Sequence, residues 1–268
     1  MFPISYRRRG GGDATVRLTL LARQALAEFL GSAGLVAVVI GSGIAAQRLS
    51  PDDVGVQLLE TALATGAGLV ALILAFGPAS GGHFNPVVTL ADRFFGGVSN
   101  RQVAVYLPAQ FLGGAVGAVA ANRMFDLPTV TVSTTVRSGG GLWLSEALAT
   151  FGLVVLIFAL VRAGRAALAP FAVGAYITAA YWWSSSTSFA NPMIDLARTL
   201  SDTFAGIAPA SVPMFLLMQF VGGAAGVAVI AVLYTTVPDV ADAVVVPRDS
   251  AGPADAEALD RPIPRKSP

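Results

Sequence analysis

The chain has 268 residues, of which 54% are hydrophobic and only 12% charged, with a net charge of +1. A soluble domain carries about 25% charged residues, so a soluble enzyme, a nucleic-acid binder and a disordered chain all fit poorly, and no polyanionic partner is implied. There is no cysteine and a single histidine, His83, which removes thiolate chemistry and argues against a His-based metal site, so neither metal nor cofactor is expected.

Residues 1–22 contain Arg7, Arg8 and Arg9 followed by Gly10, Gly11 and Gly12, and read as a basic, disordered tail that is retained rather than cleaved. Six apolar stretches follow, at 25–46, 58–76, 103–123, 142–161, 168–183 and 212–234. A hydrocarbon core about 30 Å thick takes about 20 helical residues to cross, so each stretch is a candidate span. The 29 glycines and 16 prolines agree with this, because both are commoner in transmembrane than in soluble helices. Two polar connections are expected, at 47–60 and 125–141, and 237–268 reads as a second disordered tail. Arginine clusters in the two tails, at Arg93 and Arg101, and at Arg162 and Arg165. By the positive-inside rule both termini are then cytoplasmic, which needs an even number of spans, and a plasma (inner) membrane location is expected.

The two halves, about 23–124 and 142–236, repeat each other in order. Glu28 to Gly34 matches Glu146 to Gly152, His83 to Ala91 matches Phe189 to Ala197, and Gln110 to Gly117 matches Gln219 to Gly226. Three spans per half force the second half to enter the membrane from the opposite side, giving an inverted repeat with its working site at the midplane. The paired glycines Gly113, Gly114, Gly117, Gly222, Gly223 and Gly226 read as close helix packing.

The segments around Asn85-Pro86 and Asn191-Pro192 are too short to span and too apolar for ordinary loops. Proline suits the first helical position and asparagine the N-cap, so each pair starts a short helix. One such dipeptide is an ordinary turn starter; two in matching places of an inverted repeat are not. The short helices enter from opposite faces, and their N-termini meet near the midplane. Their positive ends and the Asn amides then form a field that orients water and repels cations.

Ser80-Gly81-Gly82-His83-Phe84-Asn85-Pro86-Val87 and Asn191-Pro192-Met193, with Glu28, Glu146, Gln110 and Gln219, resemble the aquaporin and glyceroporin (major intrinsic protein) family over about residues 23–236. The resemblance implies an all-α membrane protein with six transmembrane helices and two re-entrant half-helices around one pore per subunit. It also implies a homotetramer in the lipid bilayer. Asn85, Pro86, Val87, Asn191, Pro192 and Met193 would form the central constriction. Glu28 and Glu146 would be buried and structural, holding the re-entrant loops.

The sequence also departs from the family pattern. The third residue of each signature is Val87 or Met193 in place of alanine, and Ile194 stands where family members usually carry a filter arginine. Counting back from the asparagines places Thr65 or Ala67 on the second span and Ala179 on the fifth at the filter. These residues, with Ser188 near the outer pore, predict a wide, weakly polar filter, unless Tyr176, Tyr181, Trp182 or Trp183 faces inward. Arg198 lies one helical turn beyond Ile194 and is read as the ion-pair partner of Asp195 and Asp202, in preference to a filter role at the pore mouth. His83 is read as a loop-packing residue near the pore mouth.

The function read from these residues is a passive channel for water and small uncharged solutes, such as glycerol-like polyols and neutral metalloid acids like arsenite. Protons and ions would be excluded. A secondary transporter also uses inverted repeats and broken helices, but the spans offer few acids beyond Glu28 and Glu146 for a coupling ion. A non-conducting or gated member of the same fold is a further alternative. An intramembrane enzyme is disfavoured, because Ser145 and Ser184 have no evident base.

Overall fold

The computed structural model describes residues 18–234. The stretches read as tails lie outside these residues except for 18–22, where Leu20 already begins a helix. Eight α-helices follow in order: α1 (Leu20–Leu49), α2 (Val54–Ser80), α3 (Pro86–Phe95), α4 (Asn100–Met124), α5 (Gly140–Arg162), α6 (Ala169–Trp183), α7 (Pro192–Arg198) and α8 (Val212–Leu233). Five of the six long helices are long and apolar enough to cross a membrane. The sixth, α6, has 15 residues and is preceded by a single 3-10 turn at Ala166–Leu168.

Local chemistry sets the ends of these helices. Thr19 caps α1, accepting from the Ala22 amide at 3.2 Å, and Asp53 caps α2, accepting from Val56 at 3.0 Å. Ser99 and Gln102 close a reciprocal capping box at the start of α4. Gly81 ends α2 with φ 97°, a left-handed conformation that glycine adopts without a Cβ penalty.

The first connection is far shorter than the sequence predicts. Only Ser50–Asp53 separates α1 from α2. A 30-residue helix is about 45 Å long and outreaches an apolar layer about 30 Å thick. Polar residues such as Gln47, Arg48 and Gln57 therefore belong to helix ends. Gln57 ties the turn by donating to the Ser50 carbonyl at 2.8 Å.

Each half is built alike: a long helix, a second helix, a half-helix and a closing helix. α1 packs on α4 as α5 packs on α8, and the halves meet where α2 lies against α6. Glycine makes these contacts possible. A Cβ on Gly113 or Gly117 would stand 2.3 or 2.2 Å from a carbonyl oxygen of α1, and one on Gly222 would stand 2.0 Å from the Ala147 carbonyl. Backbone meets backbone at these crossings, as expected where lipid supplies no hydrophobic drive between helices. Gly114 and Gly223 do something different. They leave room for Met193 and Val87, whose side-chain atoms would lie 2.5 and 2.4 Å from an added Cβ. The larger third residues of the two signatures are thus housed by glycines on the closing helix of the other half.

Candidate functional site: a pore between the halves

The half-helices α3 and α7 begin where the two halves touch. Asn85 caps α3, its Oδ1 accepting from the Val87 amide at 2.9 Å, and Asn191 caps α7, accepting from Met193 at 3.1 Å. Each asparagine also reaches across to the other loop. Asn85 Nδ2 donates to the Ala190 carbonyl and Asn191 Nδ2 to the Phe84 carbonyl, both at 2.8 Å. A side-chain amide has two N–H donors. One is spent on the opposite loop, so each asparagine keeps one N–H, and both asparagines line the central cavity.

The loops leading into these caps are held from behind by buried carboxylates. Glu28 accepts from Ser80 Oγ (2.6 Å), the His83 amide (3.0 Å), the Phe84 amide (2.8 Å) and Gln110 Nε2 (2.7 Å). Glu146 accepts from the Phe189 and Ala190 amides (2.9 and 2.8 Å) and from Gln219 Nε2 (2.6 Å). Both glutamates are fully buried. Every peptide in the described residues is trans, so C=O and N–H of one peptide unit point in opposite directions. Amides turned back onto Glu28 and Glu146 therefore turn the carbonyls of Gly82, His83, Ser188 and Phe189 the other way, toward the cavity that these residues line. The turn is tight. Phe84, Thr187, Ser188 and Ala190 are non-glycine residues at φ 46–63°, a conformation that persists only where surrounding bonds over-determine it.

The opposite wall is apolar. Leu35 and Val39 of α1, Thr65, Leu69 and Ile73 of α2, Leu153 and Ile157 of α5, and Val173, Ile177 and Tyr181 of α6 face the cavity. Each helix contributes a stripe at a spacing of four residues, one helical face. The cavity admits the centres of water-sized spheres over about 60 Å³. At 10–15 Å³ per water on that measure, it holds about four to six waters.

Of the residues singled out from the sequence, Thr65, His83, Asn85, Ser188, Asn191, Ile194 and Arg198 line this cavity. Pro86, Pro192, Val87 and Met193 are buried beside it in the first turns of α3 and α7. Ala67 and Ala179 do not belong to it. Both are exposed on the outer faces of their helices, because two residues along a helix rotate a side chain by about 200° from the lining stripe. On α6 the lining position is Tyr181, whose hydroxyl lies 3.1 Å from Thr65 Oγ1. Tyr176 instead donates to the Ala149 carbonyl at 2.8 Å, and Trp182 and Trp183 are exposed. At this end of the cavity a tyrosine and a threonine stand where the small residues at 67 and 179 were expected.

Arg198 differs from expectation in its partners. Among the described residues no ion pair joins it to Asp195 or Asp202. Asp202 is taken by Thr134, whose amide donates to it at 2.8 Å, and Asp195 is fully buried. Arg198 is the last residue of α7 and reaches forward, its Nε donating to the Ala205 carbonyl. Its guanidinium lies over the Phe189 ring, 3.5 Å from the centroid. Arg137 approaches the same ring at 5.2 Å and donates to the Gly206 carbonyl at 2.9 Å; burial pulls its guanidinium below the ordinary arginine range. Tyr181, Phe189 and Arg137 carry the outer part of the site without belonging to any signature. Of the four aromatics that the sequence offered as inward-facing, Tyr181 is the one that lines the cavity, and its four-residue spacing from Val173 and Ile177 is the signal that separates it from the others. At the other end, His83 is buried with Nδ1 3.0 Å from Thr89 Oγ1 and Nε2 3.2 Å from the Asp92 carboxylate.

A cavity roofed by two capped half-helices, with a carbonyl ladder on one side and an apolar wall on the other, defines a membrane-spanning channel. The sequence pattern of the major intrinsic protein family matches residues 15–200. The chain is 47% identical over 208 residues to aquaglyceroporin AqpS of Rhizobium meliloti (strain 1021), covering 78% of this chain and 88% of that one. It is 32% identical over 189 residues to aquaporin-8 of Botryotinia fuckeliana, covering 66% of this chain and 55% of that one. In fold it resembles the X-ray structure of the aquaglyceroporin from Plasmodium falciparum, with a TM-score of 0.62 at 19% identity over 82% of this chain and 99% of that chain. The chain belongs to the major intrinsic protein family.

Proposed function

We propose that the chain is a passive channel for water and small uncharged solutes, glycerol-like polyols first and neutral metalloid acids such as arsenite second, that holds back protons and ions. The observation carrying this reading is the asparagine pair. Each of Asn85 and Asn191 has one amide N–H left for the lumen after bonding the opposite loop. A water between two donors must present its oxygen to both, so it cannot pass a proton onward. Next to these donors the carbonyl ladder replaces hydration on one side only, and the apolar wall keeps binding weak enough for release. A polyol suits such a lumen, with hydroxyls along the ladder and carbons along the wall.

The arginine bias supports cytoplasmic termini and a plasma-membrane location, and the family supports a homotetramer with one pore per subunit. The channel domain then begins with α1 at Leu20, three residues before the start expected at 23. Stopped-flow light scattering on proteoliposomes tests the reading. Protein-dependent shrinkage in an impermeant osmolyte, followed in glycerol by re-swelling, is expected. Saturable flux that depends on a sodium or proton gradient would favour a secondary transporter instead.

A further inference from the structure

Two cavities meet at the outer end of the pore. The central one runs past Asn85 and Asn191, and the second opens outward along Val54, Leu58, Arg137, Thr187 and Phe204. Among the described residues only Tyr181 and Arg198 line both, so these two side chains stand between vestibule and pore. Arg198 is 4% exposed, yet among the described residues no acid forms a direct ion pair with it. Its bonds to protein leave its working end free. Nε is bound to the Ala205 carbonyl and one flat face is covered by Phe189, while among the described residues its terminal nitrogens have no hydrogen-bond partner. Across the passage, the Tyr181 hydroxyl is shared with Thr65.

We infer that Arg198 and Tyr181 are the specificity-determining pair of this pore, with Arg198 supplying from one turn farther along α7 the cation that Ile194 does not. This rests on the channel reading above. The guanidinium edge offers up to four N–H donors to an acceptor oxygen of a passing solute, and Phe189 and the Ala205 carbonyl hold it in one orientation. The class of solute favoured is neutral, small and rich in acceptor oxygens: water, polyols and hydroxy acids in their protonated form. Cations meet a buried positive charge that no direct ion pair neutralises among the described residues before they reach the asparagines. Arg137, 5.2 Å from the centroid of the same ring, adds to that field and is a positioning residue for Phe189.

The test uses the full chain in proteoliposomes. Three fluxes are measured: water, glycerol, and protons (by an entrapped pH dye under a pH step). Arg198→Met is expected to keep water flux within about twofold and to raise proton leak by about tenfold or more, because removing a fixed charge from a low-dielectric passage removes most of its electrostatic barrier. Arg198→Lys, which keeps the charge and loses the fork, is expected to keep protons out while changing the glycerol-to-water ratio. If Arg198→Met does not insert, Arg198→Gln and Arg198→Lys carry the same comparison. Unchanged proton leak and an unchanged glycerol-to-water ratio in these variants overturn the inference. A wild type with no water or glycerol flux overturns the channel reading instead, so the two failures are distinguishable.

Discussion

Replacing Glu146 tests how the second re-entrant loop is held. Its carboxylate takes three hydrogen bonds, two from loop amides and one from Gln219. The loop it anchors contains three non-glycine residues with left-handed backbone, Thr187, Ser188 and Ala190. In Glu146→Ala three buried donors lose their acceptor at about 1–3 kcal/mol each, or about 3–9 kcal/mol together. That is of the order of the whole stability of a typical domain, so the loop would not hold its shape. In Glu146→Gln one oxygen remains. Kept where it accepts from Ala190 and Gln219, it leaves an NH2 facing the Phe189 amide, donor against donor, at a cost of about 1–3 kcal/mol. The expected order in detergent thermal unfolding is wild type, then Glu146→Gln, then Glu146→Ala, with water flux falling in the same order. An alanine variant that unfolds with the wild type and conducts water normally would refute the argument that this carboxylate turns the carbonyls toward the pore.

Three other substitutions probe separate parts of the account. Gly223→Ala places a Cβ 2.4 Å from Val87 Cγ1 and should destabilise by about 1–3 kcal/mol through overpacking. Val87→Ala in the same chain should restore the unfolding midpoint, and failure of that rescue would show that the two residues do not share the space. Gly222→Ala has no such rescue, because its Cβ meets the Ala147 backbone oxygen at 2.0 Å; membrane insertion or thermal stability should drop regardless of side chains nearby. Ile194→Arg puts a second guanidinium in the cavity one turn before Arg198 and should cut glycerol flux by about tenfold while water falls by about twofold, since polyols fill more of the bore. Equal loss of both in the flux assay would count against a size-limited passage at that level.

The parts of this fold that were legible in the sequence are those fixed by local chemistry. Asn85 and Asn191 had to be caps because proline follows each of them, and the ordered repeat of Glu, Gln and Gly positions implied inversion as soon as three spans were counted per half. The filter register was not legible. Counting from Asn191 back to α6 crosses the loop at 184–190, where left-handed residues fold the chain back on itself, and the count arrives at Ala179 instead of Tyr181. On α2 the count does reach a lining residue, Thr65, and the alternative two residues on, Ala67, faces outward. Arg198 was assigned to Asp195 and Asp202 by helical spacing, but spacing does not see that the helix stops at Arg198 or that Thr134, from the connection between the halves, has already claimed Asp202. The fit of Val87 and Met193 against glycines of the opposite half depends on contacts made more than 75 positions apart, which no local pattern encodes.

The central claim is that a pore runs between the two asparagines and passes small neutral solutes. Stopped-flow light scattering on proteoliposomes, with sucrose and then glycerol as the osmolyte, tests it most directly. The account predicts rapid shrinkage in sucrose and shrinkage followed by rapid re-swelling in glycerol, both insensitive to sodium and proton gradients. Vesicles that respond no faster than protein-free liposomes in either osmolyte would contradict it.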